Sequence, residues 1–135
     1  LSRRVVCDAS ALVALLLDGG PDGAWAAGVL QGAELAAPAL LPFETANVIR
    51  RHERQKLISS DQAAQAHADL LDLDVEHWPY ELLASRAWEL RRQLTSYDAA
   101  YVALAELTNA TLATLDAAIA GAAGVRCEVA RPDFA

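Results

Sequence analysis

The sequence predicts a three-layer α/β/α sandwich, a parallel sheet of about five strands with helices on both faces. Three observations lead there. Short apolar runs of strand length alternate with helical patterns along the whole chain, the order that builds βαβ units. The first run, Val5-Val6-Cys7, stops at Asp8, and an Ala/Leu-rich helical pattern starts at once. Hydrophobic residues make up 54% of the 135 and charged residues 21%, a packed composition whose length suits one domain spanning 1–135.

Taken in order, residues 4–8 read as a buried strand and Ala9 to Leu17 as a helix, with Asp8 or Ser10 at its start. Gly19-Gly20-Pro21-Asp22-Gly23 is a cluster of chain breakers. A second helix follows over Gly23–Gln31, then a short strand over Glu34–Ala37 closed by Pro38. Leu40-Leu41-Pro42-Phe43 opens a third helix running to Lys56, with Pro42 where a missing N–H does no harm. Ser59 or Ser60 caps a fourth helix to Leu71, and Leu73–Trp78 is a strand punctuated by Pro79. Leu82, Leu83, Ala87, Trp88, Leu90 and Leu94 recur at helical intervals over Tyr80–Leu94. Thr95-Ser96 caps a helix over Tyr97–Leu107. Thr111–Leu115 is a short strand, Ala117–Ala123 a brief helix stopped by Gly124, and Val125–Val129 the last strand. The tail 130–135 reads as coil.

Composition narrows the function. The longest apolar stretches fall short of the ~20 residues a membrane span needs, and the N-terminal residues lack a cleavage pattern, so no signal peptide is expected. Cys7 and Cys127 each fall in an expected strand, with no CxxC for zinc. Unpaired buried thiols suit a reducing cytoplasm. The net charge of −7 and pI of about 4.8 argue against a generic nucleic-acid coat. They leave a nuclease open, because metal ions at an acidic site reverse the local field.

Four acids stand at element starts: Asp8, Glu44, Asp98 and Asp116. In a parallel sheet, ligands bind beyond the carboxyl ends of the strands, and Asp8 stands at that rim. Each acid also has a local reading, Asp8 as a helix N-cap, Asp98 and Glu44 as first-turn acids, and Asp116 as the start of its short helix. Held together near buried surface, four carboxylates repel one another unless a cation joins them. Mg²⁺ and Mn²⁺ prefer such oxygen donors and support phosphodiester hydrolysis. Glu44, Asn47, Val48 and Arg51 share one face of the third helix.

The stretches Val5-Val6-Cys7-Asp8-Ala9-Ser10-Ala11-Leu12, Pro42-Phe43-Glu44-Thr45-Ala46-Asn47-Val48, Ser96-Tyr97-Asp98-Ala99-Ala100-Tyr101-Val102-Ala103-Leu104-Ala105 and Ala113-Thr114-Leu115-Asp116 resemble, in order and spacing, the four motifs of PIN-domain ribonucleases. The nearest likeness is to the VapC toxins of bacterial toxin–antitoxin pairs. The resemblance spans nearly the whole chain, and the Asp98 motif is its most diagnostic piece. It implies an endoribonuclease dependent on Mg²⁺ (or Mn²⁺), a cognate VapB-type antitoxin occupying the active-site groove, and a homodimer. Carried over by position, it implies Asp8 and Asp98 as leading metal ligands. Glu44 and Asp116 complete a catalytic quartet, with Ser10 and Asn47 as supporting polar groups. One departure is that nothing basic or hydroxylic follows Asp116 directly.

Elsewhere the plainer readings prevail. Arg50, Arg51, Arg54 and Lys56, the sole lysine, are either a solvated helix end or an RNA backbone contact through Arg51. His52, His67 and His77 share no spacing and read as surface residues, and Trp25, Trp78 and Trp88 as packing or dimer residues. Ser10 has no histidine partner for nucleophilic catalysis. A phosphoacceptor signalling domain would want a second acid beside Asp8 and a lysine beyond a late strand, both missing. A non-catalytic binding module would be expected to lose some of the four acids.

Overall fold

The computed structural model describes residues 3–133. Its elements are β1 (Arg4–Cys7), α1 (Ala9–Leu17), α2 (Pro21–Leu30), β2 (Glu34–Pro38), α3 (Leu41–Arg54), α4 (Ser60–Asp72), β3 (Val75–Trp78), α5 (Tyr80–Glu89), α6 (Ser96–Leu107), β4 (Thr111–Ala113), α7 (Ala117–Gly121) and β5 (Val129–Ala130). The five strands form one parallel sheet in the order β3-β2-β1-β4-β5. The α/β sandwich expected from the alternation is therefore the fold observed.

The chain steps outward from β1 through β2 to β3, then returns past β1 to β4 and β5. Right-handed crossovers place helices on opposite faces when the direction of travel reverses. Accordingly α1 to α4 pack on one another, while α5 packs on α6 and α6 lies against β1, β2 and β4. Residues 99–105 of α6 are buried without a break, as befits a helix apolar on every side and enclosed by protein. Val5, Val6, Cys7, Leu12, Leu112 and Ile119 complete the centre of the core, each large apolar side chain contributing roughly 1.5–3 kcal/mol by leaving water. At the corner between α1 and α2, a Cβ on Gly23 would lie 1.7 Å from the Asp18 carbonyl oxygen. Only glycine permits that approach.

Several boundaries differ from those read in the sequence. The helix expected over Tyr80–Leu94 ends at Glu89, and turns continue to Leu94. Leu94 N–H still donates to the Leu90 carbonyl at 3.0 Å and both leucines are buried, so helical periodicity outlives the helix. The last strand is Val129–Ala130 rather than Val125–Val129. Residues 124–126 are drawn aside instead, because Arg86 donates to the Gly124 carbonyl and Arg126 N–H donates to Glu106. Cys127 therefore lies outside any strand, and both cysteines are free thiols. Ala130 pairs in β5, residues 131–133 are coil as expected, and 134–135 lie outside the described residues. Among the described residues, no helix is long and apolar enough to cross a membrane.

Candidate active site

All five strands point the same way, so their carboxyl ends form one rim, and the order reverses between β1 and β4. That switch point is where open α/β sheets bind ligands. Register pairs Cys7 with Ala113, so the next residues, Asp8 and Thr114, emerge side by side. Asp8 is buried at 5% exposure and serves as the N-cap of α1, accepting from Ala11 N–H at 3.0 Å. The capping reading holds, and the same side chain stands at the rim of the switch point.

Two hydroxyls hold the Asp8 carboxylate. Ser10 donates to Oδ1 at 2.6 Å, and Thr114 donates to Oδ2. Each hydroxyl has one proton to give, and backbone N–H groups fix which way it points. Leu115 N–H donates to Ser10 Oγ and Asp116 N–H to Thr114 Oγ1, both at 2.9 Å. The loop carrying Asp116 is thereby tied to Asp8 through two hydroxyls. Asp116 caps α7 by accepting from Ala118 N–H at 2.9 Å.

The other two acids come from the helices on either side. Glu44 sits in the first turn of α3, which follows directly from the end of β2. Its Oε1 accepts from the Tyr101 phenol at 2.7 Å. Asp98 sits in the first turn of α6, where Thr95, not Ser96, is the cap and accepts from Asp98 N–H. Tyr101 follows three residues later on the same helix, so α6 supplies both an acid and the phenol that holds Glu44.

The carboxylates feel one another. Burial holds the Asp8 carboxyl above the ordinary carboxylate range; its hydrogen bonds from Ser10, Thr114 and Ala11 draw it back in part, and Asp116 pushes it up. Asp98 is raised by burial, then by the charges of Asp116 and Asp8. Glu44 is raised by burial, relieved by the Tyr101 hydrogen bond, and raised again by Asp98 and Asp8. Tyr101 is pushed far above a free phenol by burial and by Glu44. Burial, with Asp8 beside it, lifts the Cys7 thiol to about 12, which keeps it an inert core group. Among the described residues, ion pairs form only around Arg86. Among those residues the four acids pair with no protein cation.

The donor set suits a hard divalent ion. Among the described residues, Asp8 Oδ2 and Asp116 Oδ2 keep acceptor capacity, as do Glu44 Oε2 and both Asp98 oxygens. No three acidic, imidazole or thiol side chains among the described residues close into a ready-made cage. Mg²⁺ does not require one, since it typically takes one or two carboxylates and completes its shell with water and substrate phosphate.

Ser10 lies in the hydrogen-bond network around Asp8. Asn47 and Arg51 are exposed on α3 and make no hydrogen bond to the carboxylates among the described residues. His67 and His77 are exposed as expected, whereas His52 is half-buried. Trp25 and Trp78 pack against the core, and Trp88 is 60% exposed with Arg91 stacked 4.7 Å above its ring. Thr114 falls in the short apolar strand expected over 111–115, where nothing in the sequence marks its hydroxyl, and the buried Tyr101 has no polar neighbour in sequence that points to Glu44; both lie inside the motifs that carry the resemblance.

A sequence model of the PIN domain matches residues 5–125. The chain belongs to the PIN-domain family. Ribonuclease VapC12 of Mycobacterium tuberculosis is 38% identical over 125 residues, covering 93% of this chain and 96% of that protein, which places the chain with the VapC branch of PIN-domain proteins. Two crystal structures share the fold at lower identity. VapC20 of M. tuberculosis, a toxin that cleaves the sarcin–ricin loop, aligns with a TM-score of 0.65 at 20% identity, covering 95% of this chain and 99% of that one. VapBC2 of Rickettsia felis, bound to a fragment of promoter DNA, aligns at 0.67 and 12%, covering 96% and 99%.

Proposed function

We propose that this PIN-domain chain is a divalent-metal-dependent endoribonuclease, the toxin of a toxin–antitoxin pair, that hydrolyses RNA phosphodiester bonds in the cytoplasm. The observation that carries the reading is the gathering of Asp8, Glu44, Asp98 and Asp116 at the sheet's switch point, where burial and then neighbouring acids raise Asp8, Glu44 and Asp98 and no cation pairs with any of the four among the described residues. Asp8 and Asp98 would hold Mg²⁺ or Mn²⁺, with Glu44 and Asp116 completing the set directly or through water. When bound, such an ion offsets charge on the phosphate and makes water a better nucleophile.

The chain's own residues do the rest. Ser10 and Thr114 hold Asp8 in one orientation, so no reorganisation is needed as substrate arrives. Glu44, fixed on one oxygen by Tyr101, keeps its other oxygen available to accept a proton from attacking water. RNA would enter as an unpaired loop whose backbone is reachable, with Arg51 further along α3 as a backbone contact. A VapB-type antitoxin presenting arginine would find in the four carboxylates a charge-assisted partner and would block the groove. Phe43, Tyr80, Leu82 and Tyr97 are 46–79% exposed, and they supply apolar surface for a homodimer.

Purified, antitoxin-free protein incubated with total cellular RNA tests the reading. Discrete fragments are expected with Mn²⁺ or Mg²⁺, and none with EDTA or with Asp98→Asn. Intact RNA from well-folded wild-type protein in the presence of metal would overturn it in favour of a binding module.

A further inference from the structure

Tyr101 is 1% exposed, in the middle of the α6 segment that is buried without a break. A phenylalanine would fill nearly the same space without bringing a hydroxyl into the core. A buried phenol needs a partner, and the one it reaches is Glu44 Oε1 at 2.7 Å. That acid lies on a different helix, at the rim of the site. Asp98 and Tyr101 stand three residues apart on α6, a spacing that shares a face. A single rigid helix thus sets the place of one acid and the orientation of another. Asp8 receives the same kind of support from Ser10 and Thr114, whereas the exposed Tyr80 and Tyr97 offer none.

We propose that Tyr101 is a positioning residue of the nuclease site: by donating to Glu44 Oε1 it holds the α3 carboxylate in register with Asp98 and leaves Oε2 to face the cation or its water. The inference rests on the nuclease reading above. Groups that orient metal ligands in this way typically contribute about 10–100-fold in metal affinity or activity.

The test measures Mn²⁺ binding by calorimetry, RNA cleavage rates and metal-free melting for wild type, Tyr101→Phe, Glu44→Gln and the double variant. Tyr101→Phe is expected to bind Mn²⁺ and turn over RNA about tenfold or more weakly, with KM for RNA unchanged and metal-free melting lowered by no more than the loss of one hydrogen bond. Tyr101→4-aminophenylalanine, which returns a donor, should recover binding. In the Glu44→Gln background the loss of the phenol should add nothing. A folded Tyr101→Phe with wild-type Mn²⁺ binding would overturn the proposal, as would an undiminished penalty in the Glu44→Gln background. Unfolding on loss of the hydroxyl would assign Tyr101 to stability instead. Wild-type protein that neither binds Mn²⁺ nor cleaves RNA would overturn the nuclease reading, and this one with it.

Discussion

Two groups of part-buried acids face opposite fates in this molecule. Glu106, on α6, receives Arg86 Nε at 2.6 Å and Arg126 N–H at 2.8 Å. Burial alone would raise its carboxyl, but those partners win and hold it below the ordinary range. Arg86 also donates to Glu89 and to the Gly124 carbonyl, stapling α5, α6 and the chain before β5. Glu44 and Asp98 are also only part-buried; burial raises them too, and the charged neighbours that act on them are other acids, which add to the rise instead of offsetting it. Packing acids serve stability when given a cation. At the sheet's switch point no cation pairs with the acids among the described residues, and the proposed function gives that place to a bound ion.

The largest expected effect breaks the second group. Asp98→Asn or Asp8→Asn should abolish RNA cleavage, a loss of about a thousandfold or more if the metal site supplies several kcal/mol of transition-state charge stabilisation. Melting of the metal-free Asp98→Asn protein should not fall, because a repelling charge is removed. Next, Thr114→Val takes one hydrogen bond from Asp8. Activity should drop about 10–100-fold and stability by about 1–3 kcal/mol from the buried carboxylate left short of a donor, read from rates and urea unfolding.

A contrasting result is expected from the first group. Arg86→Met should cost about 2 kcal/mol in urea unfolding, below the ~3–5 kcal/mol of a fully buried broken pair, because both side chains keep some solvent contact at 16% and 14% exposure. The folded variant should retain its cleavage rate. The smallest effect is a pH slope with opposite sign in the two regions. Asp8, Glu44 and Asp98 have folded values above their unfolded values near ~4. The stability they contribute is present below ~4 and lost as pH rises through the raised folded values. Glu106 is lowered, so its contribution is present above ~4 and lost as pH falls through its folded value. Metal-free protein should therefore gain stability as pH falls from neutral through those raised values toward ~4, less so in Asp98→Asn, and saturating Mg²⁺ should flatten the gain.

The fold was largely legible because β1, α1 and the turn at Gly19–Gly23 agree at every level, from apolar pattern to breaker residues. Asp8 stood out because a carboxylate ends an apolar run, and Glu44, Asp98 and Asp116 because each opens a helix. What could not be read is what depends on contacts between distant segments. The course of residues 124–126 is set by Arg86 and Glu106, partners 38 and 20 residues away in sequence. Thr114 looks like one more strand residue until register puts it beside Asp8, and Tyr101 like core filling until α3 packs with Glu44 against its hydroxyl. Periodicity shows which face a residue occupies, not which polar atom it meets there.

The most direct test is a titration of the side-chain carboxyl carbons by ¹³C NMR, with and without Mg²⁺. Asp8, Glu44 and Asp98 should titrate above the ordinary carboxylate range in metal-free protein and move down when Mg²⁺ is added. Glu106 should titrate below that range and ignore the metal. Asp8 and Asp98 titrating at ordinary values, unmoved by Mg²⁺, would contradict the claim that this end of the sheet is built to receive a cation.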